Sequence, residues 1–194
     1  EELSYELSYI DKISLGILAQ KVTEHQPKLV CISAPFPGNL FSAFRCAQYI
    51  KEAYPSIKIA MGGGFANTEL RSINEPKVFD YFDFITLDDG ELPIELLHSF
   101  VTSNSETKDF LFKRTFLRES GKVLYNNFSL RQDYKQAELG TPDYSDILLT
   151  HYISVIEVAN PMHSLWSDGR WNKLTMAHGC YWGKCTFCDI SLDY

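Results

Sequence analysis

Cys180, Cys185 and Cys188 stand within nine residues, in the run Gly-Cys-Tyr-Trp-Gly-Lys-Cys-Thr-Phe-Cys. Three thiolates on a glycine-containing loop can converge on one soft metal centre. A four-iron cube normally takes four protein thiolates, so three would leave one iron open to an exogenous ligand, as a catalytic metal requires. The same trio suits a zinc knuckle, with His178 or a residue from elsewhere as the fourth ligand. Cys31 and Cys46 stand apart, one in an apolar run and one in a helical pattern, and are expected to be inert core thiols. Five cysteines cannot all pair, and three crowd into the last fifteen residues. That distribution is wrong for a disulfide framework and suggests a reduced, cytoplasmic protein with a metal site.

A second group of residues matters by position. Ser33, Pro35 and Asn39, the triplet Gly62-Gly63-Gly64, and Asp89-Gly90-Glu91 fall in three loops, each directly after an apolar strand-like run. In an open α/β sheet such loops share the carboxyl edge, where ligands bind. A glycine triplet is expected to let a flat or bulky ligand approach the backbone, and the helix starts that follow offer N–H groups to an anion. The acidic residues Asp88, Asp89 and Glu91 could bind a cation but are expected chiefly to cap the next helix. Neither the dinucleotide nor the nucleoside-triphosphate glycine fingerprint is present.

The elements that must position these loops follow from periodicity. Ile13, Ile17, Leu18 and Val22 recur at helical spacing, as do Leu40, Phe44, Ala47 and Ile50. Leu29–Ile32, Ile57–Met61 and Phe82–Leu87 read as strands. Helices are expected between them, including a short one over 68–73 and another over 92–101. Strand, loop and helix in succession imply right-handed crossovers and a parallel sheet with helices on its faces. Thr115–Arg118 and Val123–Tyr125 flank a glycine turn and read as a hairpin. Residues 127–150 read as linker, and Leu174–Ala177 as one more strand running into the cysteine loop. Three stretches result: an α/β domain over 1–104, a hairpin and linker over 105–170, and a segment over 171–194 that carries the cysteines.

Composition narrows the function. A chain of 194 residues that is 45% hydrophobic is not disordered. Its 18 Lys+Arg against 25 Asp+Glu, a net charge of −7, argue against a nucleic-acid partner. No window holds eighteen uninterrupted apolar residues, so no membrane span is expected, and no secretory leader is read at Glu1.

Taken together, these motifs resemble the cobalamin-binding-domain radical SAM proteins, the family that includes the anaerobic magnesium-protoporphyrin ester cyclase. The stretch from Pro27 through Gly64 resembles the later half of that family's Rossmann-like cobalamin domain, and Asp89-Gly90-Glu91 is similar to its Gly-Glu-Gly-Glu stretch. The cysteine run resembles the radical SAM cluster loop that follows the first strand of a partial (β/α) barrel. By that resemblance Cys180, Cys185 and Cys188 would hold a [4Fe–4S] cluster and S-adenosylmethionine would chelate its open iron. Phe187 would lie against the adenine, and the three loops would form a cobalamin edge. The resemblance implies reductive cleavage of S-adenosylmethionine for methylation, cyclisation or rearrangement of a small-molecule or peptide substrate, with a donor such as flavodoxin or ferredoxin. Four residues separate Cys180 from Cys185, where the family usually has three, and the family's Asp-x-His-x-x-Gly cobalamin signature is absent. The resemblance places the family's opening strands before Glu1 and the rest of its barrel after Tyr194, so the fragment alone is expected to be inactive. The alternative is a non-catalytic α/β binding module with a zinc-bound cysteine tail.

Overall fold

Ser8 starts the first helix. Its Oγ accepts from the Asp11 N–H at 3.1 Å, and the Asp11 carboxylate accepts from the Ser8 N–H at 2.9 Å. This reciprocal cap satisfies donors that a helix start otherwise leaves open. The helix, α1 (Tyr9–His25), ends at Gln26, left-handed at φ 43°, directly before Pro27. The computed structural model describes residues 2–4, 6–103, 106, 109–141, 143 and 145. The chain divides into one compact unit, Glu1–Asp133, and a second, Tyr134–Tyr194. The described part of the second includes one turn of 3₁₀ helix, Gln136–Glu138.

In the first unit α1 is followed by β1 (Leu29–Ser33), α2 (Leu40–Ala53), β2 (Lys58–Gly62), α3 (Gly64–Glu69) and β3 (Phe84–Thr86). Then come α4 (Glu91–Thr102), β4 (Thr115–Glu119) and β5 (Lys122–Asn126). The strands form one five-stranded sheet in sequence order. β1, β2 and β3 are parallel, with Leu29 opposite Lys58 and Ala60 opposite Phe84. β4 joins β3 antiparallel and β5 joins β4 likewise, so the sheet is mixed.

The pleat sends alternate residues to opposite faces. Ile59, Met61 and Ile85 meet Ala47 and Ile50 of α2, while Ala60, Phe84 and Leu117 meet Leu97 of α4. Cover on both faces explains why β2 and β3 are apolar at nearly every position. Under α4, Phe84, Phe100, Phe110 and Phe112 pack at ring separations from 4.8 to 5.8 Å.

Three expectations change. The hairpin expected outside the α/β domain completes its sheet instead, because Phe116 and Leu117 of β4 face the two halves of the core. Its two-residue turn, Ser120-Gly121, has φ values of 49° and 77°, the twist that closes antiparallel strands. The short helix expected over 68–73 runs instead over Gly64–Glu69. Gly63 (φ 96°) turns the chain into it directly from β2. Cys31, expected in the core, is exposed, because β1 is the outermost strand of the sheet. Cys46 is half-buried in α2.

Candidate functional site

The loops after β1, β2 and β3 meet at the carboxyl edge of the parallel strands, as the sheet order dictates. Backbone hydrogen bonds join the first two. The Ala34 N–H donates to the Gly62 oxygen, and the Phe65 N–H donates to the Ala34 oxygen, both at 2.9 Å. A methyl group on Gly63 would sit 2.7 Å from Ser33 Oγ and 3.0 Å from Ala34 backbone atoms. On Gly64 it would sit 2.7 Å from the Pro35 oxygen, and on Gly62 it would sit 2.9 Å from Thr86 Oγ1. The space that the glycine triplet leaves is thus filled by neighbouring loops. These glycines let β1, β2 and β3 close on one another, a different role from the expected approach of a ligand.

The expected helix-terminal anion cradles are weak here. In the first turn of the six-residue α3, the Phe65 N–H is taken by the Ala34 carbonyl. α4 begins at Gly90 with no side-chain cap; its first turn carries the Glu91 carboxylate and Pro93, which has no N–H. The N-cap position is Gly90, which has no side chain, and the Asp88 carboxylate is turned to Arg71 instead of α4, which corrects that expectation for Asp88. Pro35, Asn39, Gly64 and Glu91 are exposed on this edge, Ser33 is exposed at the end of β1, and Phe36 is 70% exposed beside them. Gly62, Gly63, Asp89 and Gly90 are half-buried.

The β3–α4 loop is held by residues that sequence reasoning missed. Arg114, 1% exposed, donates to both Asp133 carboxylate oxygens at 2.7 and 2.6 Å and to the Asp89 carbonyl at 3.1 Å. The Leu87 N–H donates back to the Arg114 carbonyl at 3.0 Å. Asp88, left-handed at φ 60°, takes a hydrogen bond from Arg71, and its N–H donates to Asn67 Oδ1 at 2.7 Å. The second Asp88 oxygen lies 3.9 Å from Arg114 Nε and is buried without a hydrogen bond. Burial opposes the Arg114 charge, but Asp133, Asp88 and Asp89 more than offset it and raise its pKa. The hydrogen bonds from Arg114 hold the Asp133 carboxyl below the ordinary carboxylate range. Arg71, Arg114 and Asp133 lie far apart in sequence, and no local spacing signals their meeting.

At the opposite, amino edge a cleft of about 860 Å³ opens between Gln26, Pro27, Tyr54, Pro55, Phe100 and Val101. None of the candidate site residues read from the sequence lines it. Cys180, Cys185, Cys188, His178 and Phe187 lie outside the described residues, as does the strand expected over Leu174–Ala177. Among the described residues no three His, Cys, Asp or Glu side chains gather as a metal-binding group. No described helix is long and apolar enough to cross a membrane.

The fold defines a class: an α/β protein with an open, mixed, partly parallel five-stranded sheet, compatible with a Rossmann-like fold. No protein-family model matches the chain, and no curated protein matches it.

Proposed function

We propose that the chain is the ligand-binding α/β portion of a cobalamin-domain radical SAM enzyme, with its carboxyl edge turned toward the cofactor or the substrate. The observation that carries this reading is the tying of the three loops to one another, by the Ala34–Gly62 and Phe65–Ala34 backbone hydrogen bonds and by the Asp88 N–H to Asn67, along an edge that leaves Ser33, Pro35, Asn39 and Glu91 exposed. Preorganised backbone of this kind suits a broad, flat ligand, which is held by area more than by charge. The donor set limits how cobalamin would sit. His25 ends α1 and His98 lies two turns down α4, so no described imidazole is placed at the edge as a lower axial ligand. Any cobalamin would therefore be held by contact with the loops, with no described side chain on its metal. In this reading Cys180, Cys185 and Cys188 hold the [4Fe–4S] cluster and Phe187 borders S-adenosylmethionine. When bound, that pair supplies the radical chemistry, and the α/β unit supplies position.

Two experiments test this. Titration with hydroxocobalamin should give a saturable visible spectral change, and none at high micromolar ligand would remove cobalamin from the account. Anaerobic reconstitution with iron and sulfide should give a brown protein whose colour is lost in Cys185→Ala. A colourless protein retaining one zinc would replace the enzyme reading with the zinc-bound binding module.

A further inference from the structure

The cleft at the amino edge has walls that the fold holds in place. It crosses the ends of the strands: Val22 and Ile57 belong to the core beneath α1 and α2, while Phe100 packs on the core beneath α4. All three helices stop at this edge, at the caps Gln26, Tyr54 and Ser103, and the two halves of the core part there. Pro27 and Pro55 line the cleft with rings that have no rotamer freedom to lose on contact. The Tyr54 ring is held edge-on by Tyr49 at 6.1 Å, and the Phe100 ring by Phe84, Phe110 and Phe112. A volume of about 860 Å³ between such walls falls in the range of small-molecule sites, about 300–1,000 Å³.

Charge decides what kind of molecule fits. The chain has 25 Asp+Glu against 18 Lys+Arg, yet no described Asp or Glu lines the cleft and two lysines do. Lys28 and Lys58 stand side by side where β1 and β2 begin, the Lys58 N–H donating to the Lys28 oxygen at 3.0 Å. The Lys28 ammonium is exposed and forms no ion pair among the described residues. Lys58 shares the Asp83 carboxylate with Lys51, which lies closer, at 2.6 Å against 3.1 Å. Three ammonium groups against one carboxylate leave a surplus of two positive charges. The three helix carboxyl ends oppose it with about 1.5 charges in all, which fade within a turn. Their carbonyls are also partly taken, Val22 by Gln26, Ile50 by Tyr54 and Ser99 by Ser103. The balance favours an anion. We propose that this cleft binds a small, flat molecule with one acidic group, an aromatic carboxylate whose ring lies between Tyr54, Pro55 and Phe100 and whose carboxylate meets Lys28 and Lys58. The site lies at the edge opposite the three loops and holds or fails independently of the functional reading.

2-Naphthoate and 2-naphthamide, one ring with and without the charge, test it by ¹H–¹⁵N NMR titration of the 194-residue chain. Naphthoate should shift the Gln26, Ser56 and Val101 amides saturably, with a Kd on the order of 0.1–1 mM. Naphthamide should bind there at least about 5-fold more weakly. Lys28→Gln, at an exposed position, should bring naphthoate down to the naphthamide level. Ser56→Trp, also exposed, should fill the cleft and abolish both. The comparison of the two probes on the parent protein needs no variant, so a misfolded variant leaves it decisive. No saturable shift overturns the proposal, as does naphthoate binding that survives Ser56→Trp or moves to the exposed Ile13 and Ile17 of α1. Equal affinity for the two probes also overturns it, and leaves the lysines as counter-charges to the helix ends.

Discussion

Gly63 separates two explanations of the glycine triplet, and Gly63→Ala decides between them without any ligand. Its backbone, φ 96° and ψ −176°, lies in a region open essentially only to glycine. Forcing alanine into it costs about 1–3 kcal/mol. The added methyl also meets Ser33 Oγ at 2.7 Å and Ala34 backbone nitrogen and oxygen at 3.0 Å. The hydroxyl can rotate away; the backbone cannot, short of parting the Ala34–Gly62 and Phe65–Ala34 hydrogen bonds. Losing part of that ladder adds about 1 kcal/mol, for a total of roughly 2–4 kcal/mol. Urea unfolding followed by circular dichroism should show the midpoint fall by about 1–2 M, at an unchanged slope of ~2 kcal/mol/M. Gly16→Ala is the control. Gly16 is exposed in the middle of α1 with nothing within 4 Å, so alanine there should raise stability by about 0.5–1 kcal/mol. If Gly63→Ala unfolds within about 0.5 kcal/mol of the parent and only ligand binding suffers, the loop-closure account is wrong.

Other expectations follow from the buried charges. Arg114→Met should cost about 3–5 kcal/mol, because Asp133 loses both of its guanidinium hydrogen bonds, the Asp89 carbonyl loses its donor, and Asp88 is left with Arg71 as its one close cation among the described residues; chemical denaturation at neutral pH checks this. The folded Asp133 has a depressed pKa, so its contribution is full above the ordinary carboxylate range and is lost as pH falls through the folded value. The stability gap between parent and Arg114→Met should therefore narrow below about pH 4, and a gap that stays constant to pH 2 would contradict the pairing. Asp83→Ala should cost about 2–4 kcal/mol. It removes the acceptor of the buried Ile59 N–H at 2.8 Å and of Lys51 at 2.6 Å, which together tie α2 and β2 to β3. Thermal unfolding measures this, and a loss below 0.5 kcal/mol would show the tie to be idle.

Much of the fold was legible because its signals are local. Leu29–Ile32, Ile57–Met61 and the hairpin strands announce themselves by apolar runs between turn residues, and all appear within a residue or two of their expected bounds. Pro27 and Pro55 stop helices where proline must. The displaced α3 shows the limit of such reading. Its start depends on Gly63 turning the chain at once, and no pattern over six residues outweighs that. Cys31 shows another limit, since an apolar run predicts a strand but not its place in the sheet. The three edge loops were placed correctly by topology alone, yet the purpose assigned to their glycines changed once their neighbours were known.

Local chemistry in the sequence determined the strands, the helices and the carboxyl edge, because hydrophobic period, caps and turn residues act over a few positions. The partners of each group were decided only in three dimensions. Arg114 meets Asp133, Asp88 and the Asp89 carbonyl, Ser33 meets Gly63, and the hairpin closes the sheet it had seemed to leave. Side-chain pairing across tens of residues carries no periodic trace. It arises when burial makes an unpaired charge or an extra methyl too costly to keep.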